Sequence, residues 1–377
     1  MIQNFHLYVA LSGHGFGHLA QVAPVLNAWR RHRSTNRQLT VQSMLPEAIL
    51  RSRIAGQFSV VPGSADFGMV MADALEAKVV ESLAAYRAFH ADWEARLTWQ
   101  EQVLRDARPD LLLADIPYLS LAAAARLGIP ALALCSLNWA DILTGYARHE
   151  PDLADLRAPM LAAYNSAVAF LQPAPSMPMP ELRNAQPIGP IAALGQDRRA
   201  EIEHQLGLSG DELLVLIGLG GVDMRPPLEA WPKLPGVCWL TPPVWRTVRT
   251  DMPSWAGLTD LPMVDLIRSC DVLFTKPGYG AFTEAVCNNV RVLYVARDDW
   301  PEEPWLSHWL LEHGNGVKID RQQLAAGELA APLQELLAQP LKPPLSPTGI
   351  AEAVDWLERT TAVAARSGSQ RGIIRRE

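Results

Sequence analysis

Short apolar runs that each feed a turn and then an amphipathic helix recur along the chain, and this alternation most narrows the folds open to it. His6–Leu11 reads as a buried strand, Ser12-Gly-His-Gly-Phe-Gly-His18 as a glycine-rich turn, and Leu19–His32 as a helix. In that helix Leu19, Val22, Ala23, Leu26 and Trp29 fall at helical spacing. Strands follow at Leu39–Ser43, Val60–Val61, Leu111–Ala114 and Ala131–Cys135, with one or two helices over Ala72–Ala107 and another over Leu119–Leu127. Pro173, Pro175, Pro178, Pro180, Pro187 and Pro190 then interrupt the pattern, because proline lacks the N–H that helices and central strands need. Beyond them it restarts, with a helix at Arg198–Leu206 and strands at Leu213–Ile217, Val237–Leu240, Val272–Thr275, Val292–Ala296 and Gly316–Ile319. Further helices are expected at Ala281–Cys287, Leu306–His313 and, after a second proline-rich break, Ile350–Ala365.

Strands alternating with helices over short connections imply a parallel sheet covered on both faces. The expected fold class is therefore α/β, with two doubly wound, Rossmann-like domains facing across a cleft. The first spans 1–175, a proline-rich linker 176–195, and the second 196–347; the helix at 348–366 packs back on the first, and 367–377 forms a flexible tail. A chain of 377 residues with 49% apolar content has material for two such cores and is not disordered as a whole. A net charge of −7 argues against a nucleic-acid binder working through a broad basic patch. Cys135, Cys238, Cys270 and Cys287 are far apart, with no CxxC, and read as reduced core thiols rather than a zinc or disulfide framework. The amino terminus lacks a basic leader and no window is apolar enough to span a bilayer, so a soluble, cytoplasmic protein is expected.

Two glycine-rich strand-to-helix turns carry the chemistry. Each would present backbone N–H groups at a helix start, where partial positive charge favours an anion. Gly13-His-Gly-Phe-Gly-His18 has neither the GxGxxG dinucleotide spacing nor the GK[ST] ending of a P-loop. Its two histidines point instead to general-base chemistry, since imidazole titrates near neutrality. His14 is also suited to a hydrogen-bonded turn. Lys276-Pro-Gly-Tyr-Gly280 follows a buried strand and opens a helix bearing Glu284, which could reach a ribose; a tight turn with a capping glutamate reads equally well. Asp115, ending its strand shortly before a helix, reads on its position as a helix N-cap.

Taken together, Ser12–His18, Ser136-Leu-Asn-Trp139, Lys276–Gly280, Glu284 and Arg297-Asp-Asp-Trp-Pro-Glu-Glu-Pro304 resemble the signatures of two-domain GT-B glycosyltransferases. The resemblance spans nearly the whole chain and covers the murein N-acetylglucosaminyl- and UDP-glycosyltransferases. It is nearest to the glycosyltransferase-like amino-terminal half of plant L-arabinokinases, without a sugar-kinase module. It implies an inverting transferase that moves a sugar from a nucleotide-sugar, in first place a UDP-sugar, to an acceptor hydroxyl. His18 falls where inverting members keep the base, and Asp115 where the paired aspartate stands. The resemblance places Gly15, Gly17 and Asn138 on the substrate side of the first domain. Lys276, Gly278, Tyr279 and Gly280 would meet the diphosphate, with the Gly218–Gly221 loop, including Gly220 and Gly221, close to the phosphates. Glu284 would hold the ribose, and the segment around Met263 the base.

One departure from the family pattern matters: Glu302-Glu303-Pro304 stands where relatives carry the Asp-Gln or glutamine residues that read the donor sugar, while Asp298, Asp299, Glu302 and Glu303 are all placed on the substrate side. Because no DxD triplet occurs, no metal is expected, and no cofactor is implied. The partners implied are a nucleotide-sugar and a small-molecule, glycan or lipid-linked acceptor. Trp300, Trp305 and Trp309 are expected to pack on the core, with weak membrane-surface association as a lesser role. Two other readings stay open: a nucleotide-sugar-binding protein without transfer, and a UDP-sugar epimerase.

Overall fold

The computed structural model describes residues 5–31, 37–63, 65–73, 75–219, 224–258 and 261–373. They form two compact units. The first takes Met1–Val70, Ala77–Ile191 and Thr348–Glu377, the second Met71–Glu76 and Ala192–Pro347.

In the first unit the order is β1 (Phe5–Leu11), α1 (Gly17–Arg31), β2 (Arg37–Ser43), α2 (Glu47–Arg53), β3 (Ser59–Pro62), α3 (Val79–Ala91) and α4 (Trp93–Ala107). It continues with β4 (Leu111–Asp115), α5 (Tyr118–Leu127), β5 (Ala131–Leu134), α6 (Trp139–Ala147), α7 (Leu153–Ser166), β6 (Ala169–Pro173) and β7 (Ala185–Ile188). The strands pair in parallel in the order β3-β2-β1-β4-β5-β6-β7. β4 shows why the sequence reads as it does: every residue of Leu-Leu-Leu-Ala-Asp is buried, as a strand covered on both faces requires.

Two expectations fail here. The stretch 176–195 is not a plain linker, because β7 lies within it and joins the sheet. Pro187 is tolerated there because β7 is the edge strand, where a missing N–H need not break a ladder. The helix expected from Ala72 begins only at Val79. Met71–Glu76 instead belongs to the second unit, where Leu75 is buried in the core and Arg321 lies 3.5 Å from Asp73 and 3.6 Å from Glu76. Tertiary packing outweighs local helix propensity at this point.

The second unit runs α8 (Arg199–Leu206), β8 (Leu213–Gly218), β9 (Val237–Leu240), α9 (Met263–Ser269), β10 (Val272–Thr275) and α10 (Tyr279–Cys287). It continues with β11 (Arg291–Val295), α11 (Glu303–His313), β12 (Gly316–Ile319), α12 (Arg321–Ala326) and α13 (Ala330–Ala338). Its parallel sheet has the order β12-β11-β10-β8-β9. The core gathers Val215, Ile217, Phe274, Leu293 and Val295 from the strands with Trp231 and Trp239. Burying side chains of this size is worth roughly 1.5–3 kcal/mol each.

The closing helix, α14 (Gly349–Ile373), packs against α1 in the first unit. Ala353, Val354 and Leu357 are buried, and Glu358 accepts from Arg37 at 2.7 Å. Its backbone stays helical to Ile373 where a tail was expected from 367, so that expectation is corrected. Among the described residues no helix is long and apolar enough to cross a membrane.

Each sheet reverses its strand order once, at β1/β4 in the first unit and at β8/β10 in the second. In open α/β sheets the carboxyl ends of the strands at such a reversal are where ligands bind. Both glycine-rich turns lie there.

Candidate active site

β1 ends at Leu11, in register with Asp115 at the end of β4, and the Ser12 N–H donates to the Asp115 carbonyl at 2.7 Å. The chain then turns through Gly13–Phe16, with Gly15 at φ +82°, where a side chain would be strained. α1 starts at Gly17, which puts His18 in its first turn. His18 Nδ1 lies 2.8 Å from Asp115 Oδ1; the histidine is 5% exposed and the aspartate 0%. The N-cap of α5 is Pro117, so Asp115 is the histidine's partner and not a cap. Burial pushes the Asp115 carboxyl up, while His18 and, more weakly, Cys135 pull it back. A buried carboxylate on one ring nitrogen orients the imidazole and leaves the other nitrogen to take a proton.

His18, Asp115 and Cys135 could also be weighed as metal ligands, since one donor atom of each lies within 4.8 Å of the others. Yet the Nδ1–Oδ1 separation of 2.8 Å is that of a hydrogen bond. Donors around a tetrahedral zinc with bonds of about 2.0 Å stand roughly 3.3 Å apart. The arrangement suits a proton-sharing pair.

Asp66, which carries no sequence signal, completes this site. It is 6% exposed; Oδ1 accepts from the Ser12 hydroxyl at 3.1 Å and Oδ2 from the Trp139 indole N–H at 2.7 Å. The Trp139 ring lies 5.2 Å from that of His14 and 5.8 Å from that of His18. Gly68, at φ +67°, lets the His14 ring approach, since a Cβ there would lie 2.7 Å from it. Gln21 and Ser136 lock α1 to the start of the next loop with two hydrogen bonds at 3.1 Å. Asn138, expected on the substrate side, is the N-cap of α6: Oδ1 accepts from the Asp141 N–H at 2.9 Å and Nδ2 donates to its carboxylate at 2.7 Å.

In the second unit Gly278 is the N-cap of α10 with no side-chain cap, so its amides and those of Tyr279 and Gly280 open the helix. The Tyr279 side chain is buried. Below the turn, the Thr275 hydroxyl donates to the Gly218 carbonyl at 2.6 Å, tying the two switch-point strands. Burial draws the Lys276 ammonium down to about 7, with Arg297 pushing the same way and Glu302 opposing. Arg297 was not anticipated from sequence. It is buried, with its guanidinium 3.7 Å over the Trp300 ring.

The acidic group divides. Glu303 accepts from the Arg297 N–H at 2.6 Å, and burial raises its carboxyl. Glu302 accepts from the Trp300 indole at 3.3 Å. Asp298 and Asp299 are exposed, Asp298 pairing with Lys318 at 2.6 Å. Glu284 is buried on α10, and Met263 is the first residue of α9. Gly220 and Gly221 lie outside the described residues. Of the tryptophans expected on the core, Trp300 and Trp309 are buried but Trp305 is 45% exposed. The four cysteines are buried as thiols.

No family model matches the chain. It is 26% identical over 344 residues to the L-arabinokinase of Arabidopsis thaliana, across 90% of this chain but 32% of that protein. The chain thus spans about a third of the length of that relative. Solved structures with the same architecture include the calicheamicin glycosyltransferase CalG4 (TM-score 0.58, 18% identical, 98% of each chain). Another is the glycosyltransferase VinC in complex with dTDP (TM-score 0.59, 16% identical, 96% of this chain and 100% of that one). The chain has the GT-B fold. The GT-B resemblance seen in the signature segments therefore extends to the two parallel sheets and nearly every residue.

Proposed function

We propose that this GT-B chain is a glycosyltransferase that moves a sugar from a pyrimidine nucleotide-sugar, UDP-linked in first place, to an acceptor hydroxyl. The observation that carries the reading is the buried pair of His18 and Asp115 at a switch point, 2.8 Å apart, beside an open loop. Asp115 holds Nδ1–H of His18, so Nε2 carries the lone pair. Nε2 removes the acceptor proton as the acceptor oxygen attacks the anomeric carbon. The bond from that carbon to the diphosphate oxygen breaks, and inversion follows from the single in-line displacement. The leaving diphosphate is stabilised by the amides of Gly278, Tyr279 and Gly280 and by Lys276, without a metal. Preorganised donors of this kind are worth about 3–4 kcal/mol each in the transition state.

Glu284 is assigned to the ribose and the α9 start at Met263 to the base. Asp298 and Asp299 are assigned to the donor sugar, being exposed where Glu302 and Glu303 are buried. The complex of VinC with dTDP supports a nucleotide site on this fold. A thermal-shift panel of UDP-, dTDP-, GDP- and ADP-sugars tests the proposal, because a ligand that binds only the native state raises its melting temperature. A rise with a pyrimidine nucleotide-sugar, followed by release of the nucleoside diphosphate with an acceptor, is expected. No rise with any donor refutes it.

A further inference from the structure

His18 stands in the first turn of α1, directly after the Ser12–Phe16 turn, and Asp115 ends β4. Gly13, Gly15 and Gly17 give the turn freedom, Phe16 is exposed, and α1 begins only at Gly17. A base that directly follows such a turn is held best when the turn is anchored from outside, so that its ring stays within a few tenths of an ångström of a productive position. Asp66 supplies one from a distant stretch of chain. One of its oxygens takes the Ser12 hydroxyl, and Ser12 Oγ itself receives the His14 N–H at 3.3 Å, so the carboxylate reaches the loop through a relay. The other oxygen takes the indole of Trp139, a wholly buried residue whose ring lies 5.2 Å from that of His14 and 5.8 Å from that of His18. Two residues on, Gly68 forms the floor beneath the His14 ring.

We infer that Asp66 is a positioning residue for the His18–Asp115 pair, holding the Ser12–His18 turn and the Trp139 wall in one arrangement through its hydrogen bonds to Ser12 and Trp139. This rests on the transferase reading for its kinetic consequence but not for its geometry. Retaining a buried carboxylate among aromatic side chains is expensive unless both oxygens are used, and here both are. Hydrogen bonding does the holding, and substitution can separate it from charge. Asparagine can accept the indole N–H and donate to Ser12, so Asp66→Asn keeps the links and drops the charge. Asp66→Ala drops both, and Trp139→Phe removes one link while leaving an aromatic ring.

The test has two arms on the full chain. Imidazole signals of His14 and His18, followed by NMR without any substrate, are expected to broaden or shift in Asp66→Ala and Trp139→Phe and to stay near wild type in Asp66→Asn. Turnover with the donor found above is expected to fall about 10²-fold in Asp66→Ala, the loss typical of a misplaced catalytic group. KM for the donor should hold, and Asp66→Asn should recover most of the rate. Unchanged histidine signals in both Asp66→Ala and Trp139→Phe overturn the inference, as does an Asp66→Asn variant as impaired as Asp66→Ala. If the wild type transfers no sugar, the transferase reading fails and the NMR arm alone decides this one. Should Asp66→Ala not fold, Trp139→Phe against Asp66→Asn decides it by the same signals.

Discussion

Replacing Asp115 by asparagine separates what this carboxylate does for the reaction from what it costs the fold. The oxygen it offers His18 is 2.8 Å from Nδ1, and the residue is wholly buried. As His18 takes the acceptor proton it becomes imidazolium, and the negative partner then stabilises it. For charge centres about 4 Å apart at an effective dielectric of about 20, that attraction is about 4 kcal/mol. Lost entirely, it slows turnover by about 10³-fold. An asparagine NH2 facing Nδ1 also favours the tautomer with the proton on Nε2, which cannot act as a base, and this pushes in the same direction.

Stability responds differently. Burial holds the Asp115 carboxyl above its ordinary value, so folding costs its ionised form more than its protonated one. For such a group, stability is present below the unfolded pKa and declines as pH rises through the folded one. The amide that replaces the carboxyl cannot ionise, so Asp115→Asn should lose that decline and melt no lower than wild type at neutral pH. The assay pairs nucleoside-diphosphate release with thermal melts over a pH series. An Asp115→Asn enzyme within tenfold of the wild-type rate, or one with a raised donor KM and an unchanged kcat, refutes the reasoning.

Gly68→Ala forces a side chain onto a residue at φ +67° and into the His14 ring. A loss of about 1–2 kcal/mol from the backbone alone is expected in denaturant titrations, and an unchanged midpoint contradicts the packing described. Lys276, with its ammonium drawn down to about 7, should bind a nucleoside diphosphate more weakly as pH rises through that value, with proton uptake on binding. Lys276→Arg removes that dependence; titration calorimetry in buffers of different ionisation heat measures it. In the absence of ligand the same depressed ammonium makes the fold gain stability as pH rises above about 7. Dialysis against a strong chelator should leave the transfer rate unchanged, since no step proposed here uses a metal.

The two strand–turn–helix units were legible because their signals are local. A buried apolar run, a glycine turn and a helical face lie side by side in Leu7–Trp29 and again in Val272–Cys287. His18 was legible as a candidate for the same reason, beside the end of its strand, whereas the role of Asp115 was legible only through the resemblance to GT-B transferases. What escaped is held by distant contacts. Asp66 is placed by partners 54 and 73 residues away, and no spacing rule reaches that far. Arg297 was passed over as one letter in an acidic run, although its own N–H binds Glu303 and its guanidinium covers Trp300. α6 and α7 were missed after β5, and β7 was obscured by Pro187, which only an edge position tolerates. The helix start at Ala72 failed because Leu75 is drawn into the other unit's core.

The sharpest experiment compares wild type with His18→Ala, scoring donor binding and sugar transfer on the same samples. An unchanged donor dissociation constant is expected, with a transfer rate reduced by orders of magnitude and product of inverted anomeric configuration from the wild type alone. Equal transfer by the two proteins, or loss of donor binding in His18→Ala, would contradict the role given to this histidine.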